Sequence, residues 1–165
     1  MRKHGIVCYL DVYGYSAAAA KDGTAEKAAN NLFEMWKEIS QSLTEEDGIN
    51  YTAFSDSIFL GFDSQEKQPS LLFESEVTPT IQNLIGKAAR YGYLLRGSAA
   101  YGEFLIYENV VGGDAVIRAH KNESITKTPL FHVPRPEITK INASSIDQLP
   151  FSYKEICTRN GGLMQ

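Results

Sequence analysis

Two aspartates stand where this chain could do chemistry. Asp11 ends the apolar run Ile6-Val7-Cys8-Tyr9-Leu10 in "YLDVYGYS", and Asp56 sits at the tight turn of "YTAFSDSIFLGF". Each alone reads as a turn or cap residue, because an aspartate carboxylate readily bonds nearby backbone. Brought together they would repel, and one would be driven neutral unless a cation lay between them. Oxygen ligands of this kind suit Mg²⁺ or Mn²⁺, which commonly take one or two carboxylates and complete their shell with substrate phosphate. Gly14 would let the backbone approach a phosphate closely, and a helix starting near Ser16 would offer it free N–H groups.

The elements that must position these residues follow from pattern. Residues 5–12 read as a buried strand, followed by a helical stretch with a break at Asp22-Gly23. From Thr24 onward, Ala28, Leu32, Met35, Trp36, Ile39 and Leu43 fall on one helical face. Residues 51–62 read as a hairpin turning at Ser55-Asp56-Ser57. Residues 71–92 form a helical region interrupted near Pro79. "YLLRGSAAYGEFLIYE" is strand material whose Gly97 and Gly102 suggest a bulge or close backbone approach. "GGDAVIRAHKNES" reads as another helix, and Leu130 to Val133 as a short strand closed off by Pro134 and Pro136. The order β-α-β-β-α-β-α-β predicts one domain over residues 1–165, an α/β (α+β) sandwich of the ferredoxin-like βαββαβ type. Its helices are expected on one face of a mainly antiparallel sheet, with the first strand paired to the first strand of the hairpin. The tail from about Asn142 is weakly patterned.

Composition narrows the partners. The chain has 165 residues, 43% of them hydrophobic and 22% charged, with a net charge of −4. That balance gives no general attraction to nucleic acid or to an anionic membrane. Cys8 and Cys157 form neither a disulfide framework nor a metal spacing, as expected of reduced thiols in a cytoplasmic protein. No apolar stretch approaches the ~20 residues of a membrane span.

Four motifs in order carry a family resemblance. "YLDVYGYS" resembles the first-strand signature of class III nucleotide cyclases, and "FSDSIFLGF" their second metal-binding hairpin, with Ser55 where glycine is usual. "RGSAAYG" is similar to the strand that carries an arginine, and "GGDAVIRAHKNES" to the catalytic helix, in register from Gly113 through Val116 and Ala119 to Glu123-Ser124. The resemblance covers residues 5–133. It implies two divalent ions, Mn²⁺ or Mg²⁺, on Asp11, Asp56 and the Val12 backbone carbonyl. It also implies a triphosphate against Tyr13, Gly14, Tyr15 and Ser16, and a homodimer whose shared sites lie at the interface.

The departures from the family pattern concern the base and the transition state. The helix positions that carry asparagine and arginine in purine cyclases are Ile117 and Lys121 here. Lys121 and Arg96 are the candidate catalytic cations, and His120 reads as a surface residue. The base-selecting positions are Thr52 and Val110, with Tyr51 beside them to narrow the pocket. This non-purine set looks most like the bacterial pyrimidine cyclases of the Pycsar antiphage system. The resemblance then implies that UTP (or CTP) becomes a cyclic nucleotide that activates a separate effector protein. The alternatives are a purine cyclase and a non-catalytic cyclase-like domain that binds nucleotide.

Overall fold

The computed structural model describes residues 2–20, 25–43, 48–64, 67–107, 110–125 and 127–141. The Asp22-Gly23 break, the start at Thr24, Cys157 and the tail from Asn142 lie outside them. Strand β1 (Lys3–Val12) contains the run Ile6 to Leu10, in which no side chain is more than 7% exposed. A continuous apolar run suits a strand covered on both faces. After the short helix α1 (Tyr15–Ala19) comes α2 (Ala25–Ser42), which buries Leu32, Met35, Trp36 and Ile39 at helical spacing. The hairpin follows as β2 (Ile49–Phe54) and β3 (Ser57–Asp63).

Next come α3 (Pro69–Leu72), a π-helical turn (Phe73–Val77) and α4 (Thr78–Arg90). The interruption expected near Pro79 is this π turn. A proline ring would clash with the carbonyl four residues back in a regular helix, and the wider turn absorbs it. The remainder is β4 (Leu95–Tyr107), β5 (Val110–Gly112), α5 (Asp114–Glu123), β6 (Phe131–His132) and α6 (Arg135–Ile141).

The sheet runs β2-β3-β1-β4-β5, with β6 parallel to β4 and the other pairings antiparallel. This is the mixed α/β sandwich expected, with three differences. First, β1 pairs with β3, the second strand of the hairpin, and β2 is pushed to the edge. Second, helices cover both faces. Alternation along β1 sends Ile6, Cys8, Leu10 and Val12 into the large core with α2 and α4, and sends Val7 and Tyr9 to the smaller core under α5. Third, β4 has no bulge, because its register against β1 is continuous from Lys3↔Phe104 to Val12↔Leu95. Close approach does hold at Gly97, where a Cβ would lie 2.4 Å from the Tyr9 carbonyl oxygen.

Helix α6 was not expected. The Pro134 carbonyl accepts the N–H groups of Glu137 and Ile138, at 2.9 and 3.0 Å, and Pro136 sits in the first turn, where its missing N–H costs nothing. Buried Glu137 then accepts the Tyr101 N–H of β4 at 3.0 Å and Arg118 Nε of α5 at 2.8 Å, tying three elements together.

Candidate functional site

One rung of the sheet collects the charged groups. Asp11 on β1 lies opposite Ser57 on β3 and opposite Arg96 on β4. All three point to the face that α5 covers, because Asp11 continues the alternation of Val7 and Tyr9. Ser57 Oγ donates to Asp11 Oδ1 at 3.0 Å and accepts the Tyr9 hydroxyl at 2.8 Å. Arg96 Nε and Nη2 donate to Asp11 Oδ2 at 3.1 and 3.0 Å. Glu123, the last residue of α5, closes the rung from above, its Oε1 2.5 Å from Arg96 Nε. Arg96 thus has two carboxylate partners, one 14% exposed and the other 4%.

The hairpin turn brings Asp56 to the same end. Its carbonyl accepts the Val12 N–H at 2.9 Å, fastening the end of β1 to the turn. Ser55, the first of the two turn residues, has φ 55°, the left-handed region in which glycine is cheapest. Trp36 of α2 donates its indole N–H to the Ser55 carbonyl at 3.0 Å and holds the turn down. Two-residue hairpins favour glycine at such a position, and here a helix supplies the missing restraint.

Tyr13 and Gly14 form the turn after β1, with Gly14 at φ 78°. The Tyr13 N–H bonds the Leu94 carbonyl at 2.8 Å, and its ring lies 5.8 Å from the Arg96 guanidinium carbon, within cation–π range. Tyr15 and Ser16 open α1, a helix of 5 residues. Asp11, Val12, Asp56, Arg96 and the segment Tyr13–Ser16 therefore meet at one end of the sheet.

The other sequence-derived candidates lie elsewhere. Thr52 and Tyr51 are half-buried on edge strand β2, beside a groove of about 790 Å³ that Ile106 and Tyr107 of β4 also line. They do not narrow one pocket together: Thr52, opposite Phe59, faces the α5 side, whereas Tyr51, opposite Leu60, packs on the large core and donates its hydroxyl to the Ser40 carbonyl at 3.5 Å. Val110 is exposed on β5 and pairs with Tyr107 beside that groove. Lys121 and Ile117 are exposed on the outer side of α5. His120, exposed as well, has its ring edge-on to Tyr9 at 4.9 Å.

Sequence reasoning missed Glu123, Ser57 and Tyr9 as site residues. A signal for Glu123 existed: it follows Ala119 by four residues and Val116 by seven, on the buried face of α5. A carboxylate there needs a cationic partner. Burial holds the Glu123 carboxyl above the usual carboxylate range, with Arg96 pulling it down and Asp11 pushing it up. Burial likewise raises the Tyr9 hydroxyl.

A carboxyl whose folded pKa is raised binds more protons folded than unfolded, so it disfavours folding as pH climbs past the unfolded value near 4.5. Glu123→Gln should therefore be at least as stable as wild type at pH 7 in EDTA, and its stability should fall less between pH 4 and pH 7. Urea midpoints across that range check this; a steeper fall in the variant would show that Arg96 outweighs burial.

The donor set fits a hard divalent cation. Asp11, Asp56 and the Val12 carbonyl offer only oxygen. Among the described residues no group of three or more His, Cys, Asp or Glu side chains could hold a metal, so a cation on Asp11 and Asp56 would complete its shell with water and substrate oxygens. Asp11 can be released to such a cation without stranding Arg96, because Glu123 remains to pair with it.

No family model matches the sequence, and no curated protein does. Solved structures do match the fold. The guanylate cyclase domain of RhGC from Catenaria anguillulae, solved with GTP, superposes with a TM-score of 0.63 at 14% identity, covering 87% of this chain and 85% of that one. The catalytic core of a rhodopsin-guanylyl cyclase with converted specificity, in complex with ATPαS, gives 0.65 at 15% identity over 87% and 84%. The adenylyl cyclase CyaB from P. aeruginosa gives 0.59 at 16% over 87% and 83%. The architecture is that of nucleotide cyclase catalytic domains. No helix among the described residues is long and apolar enough to cross a membrane.

Proposed function

We propose that this chain is a nucleotide cyclase that converts UTP (or CTP) to its 3′,5′-cyclic nucleotide and pyrophosphate. The observation that carries the reading is the Asp11–Ser57–Arg96 rung beside Asp56, at the open end of a cyclase-like sheet. Two divalent ions held by Asp11, Asp56 and the Val12 carbonyl would activate the ribose 3′-hydroxyl and neutralise the departing pyrophosphate. The protein's own share is positioning and charge placement, which is most of what phosphoryl transfer needs. Ser57 orients the Asp11 carboxylate. Tyr13 to Ser16 receive the triphosphate, with Arg96 next to them. Lys121 is too exposed to serve its own rung, which supports its reaching the partner chain's site in a homodimer.

Base preference rests on what the groove lacks. Thr52 offers one hydroxyl and Val110 none, so the polar pair of a purine site is missing. This supports a pyrimidine triphosphate, and with it the signal-generating role of a Pycsar-type antiphage system, acting on a separate effector through the cyclic product. A purine substrate is the second reading, favoured by the GTP and ATPαS bound in the superposing structures. Incubation with equal UTP, CTP, ATP and GTP and Mn²⁺, followed by separation of the products, decides between them. Cyclic UMP or cyclic CMP should dominate. Chiefly cyclic AMP or cyclic GMP from the wild type would establish the second reading, and no cyclic product from any of the four would refute both.

A further inference from the structure

The groove beside Tyr51 and Thr52 carries a polar pair that the reading above does not use. Lys3 Nζ lies 3.2 Å from Asn50 Oδ1 and 3.7 Å from Asp63 Oδ2, and both Lys3 and Asn50 line the groove. An ammonium can only donate, so the amide oxygen of Asn50 must be the atom that faces it. That fixes which way the carboxamide points, a choice that is otherwise ambiguous. Its Nδ2 is turned the other way, with one hydrogen on the Gly48 carbonyl at 3.3 Å. The second hydrogen has no acceptor among the described residues. The ammonium, too, has three hydrogens and two neighbours.

The oriented polar side chains of this groove therefore present hydrogens rather than lone pairs. The Thr52 hydroxyl can turn to donate or accept and imposes no choice, and the Tyr51 hydroxyl is taken up by the Ser40 carbonyl. We infer that Lys3 and Asn50 make the groove select a base with an oxo group at its distal edge over one with an amino group. Uracil and guanine present an oxygen there, whereas cytosine and adenine present an N–H₂ that would face donors. The inference rests on the nucleotide-binding reading of this groove but not on its pyrimidine preference. For a pyrimidine site it means UTP over CTP; for a purine site, GTP over ATP.

The test is equilibrium binding to the full chain with Mn²⁺, by calorimetry, using 3′-deoxy-UTP, -CTP, -GTP and -ATP, which cannot cyclise. The wild type should bind the oxo member of its preferred pair at least about tenfold more tightly, since a mismatched polar edge is rejected well. Asn50→Asp replaces the donor by an acceptor and should abolish or reverse that ratio. Lys3→Met frees the carboxamide to turn and should reduce the ratio to about threefold or less; it serves as the second variant if Asn50→Asp melts early. Equal affinities in the wild type, tighter binding of the amino base, or an unchanged ratio in the variants would overturn the inference and leave the cyclase reading standing. No binding of any of the four would overturn both.

Discussion

Asp11→Asn should lower cyclase turnover by about a thousandfold or more, the scale on which losing a principal electrostatic contact in phosphoryl or acyl transfer is felt. The fold should survive. The oxygen that remains still accepts from Ser57, and Arg96 keeps Glu123 as a partner at 2.5 Å. The ion pair lost is largely buried, 14% exposed at Asp11 and 29% at Arg96, so its removal should cost on the order of 1–3 kcal/mol, held down because Glu123 remains with Arg96. Asp56→Ala should match the loss of turnover, since its carbonyl, not its carboxylate, fastens Val12. Initial rates with saturating Mn²⁺ and nucleotide, set beside thermal melts, separate the two effects. A variant that is folded at the assay temperature and turns over at more than about a tenth of the wild-type rate would remove Asp11 from the proposed metal site.

Mixed dimers should recover activity that neither parent has. If one protomer supplies Asp11 and Asp56 while its partner supplies Lys121, then Asp11→Asn and Lys121→Ala damage opposite halves of each shared site. A heterodimer would hold one doubly damaged site and one intact site. Random exchange of equal amounts should then restore about a quarter of wild-type activity, because half the dimers are mixed and each has one of two sites. Both parents must be inactive alone, and exchange must be shown with tagged chains. Exchange without recovery would place Lys121 and the aspartates in the same half-site.

How much of this was legible in the sequence varies with the range of the interaction. Asp11 could be found because a carboxylate ending a buried strand is a local anomaly. Asp56 could be found because turn chemistry is local too. Which hairpin strand meets β1 was misread, although Ile58 to Phe62 is apolar at every position, as a strand covered on both faces should be, and Ile49 to Phe54 is mixed. Helix α6 was hidden by Pro134 and Pro136, read as stops although proline belongs in a first helical turn. The two-sided cover of the sheet was visible in retrospect, since Ile6 to Leu10 is apolar at every position rather than alternating. Glu123 and the Lys3–Asn50 pair depend on side chains distant in sequence. Asn50 and Lys3 are 47 residues apart, and no periodicity connects them.

The clamp on the hairpin turn has a practical consequence. Trp36 is the only tryptophan in the chain, and its indole N–H rests on the carbonyl adjacent to Asp56. Whatever binds at that aspartate alters the field and the hydrogen bond felt by the single strong fluorophore. The protein therefore carries its own optical reporter. Titrating Mn²⁺ or Mg²⁺ should shift or quench the intrinsic emission with a saturable profile. Stopped-flow recording of that emission can time cation arrival separately from chemistry, with no label attached and no product formed.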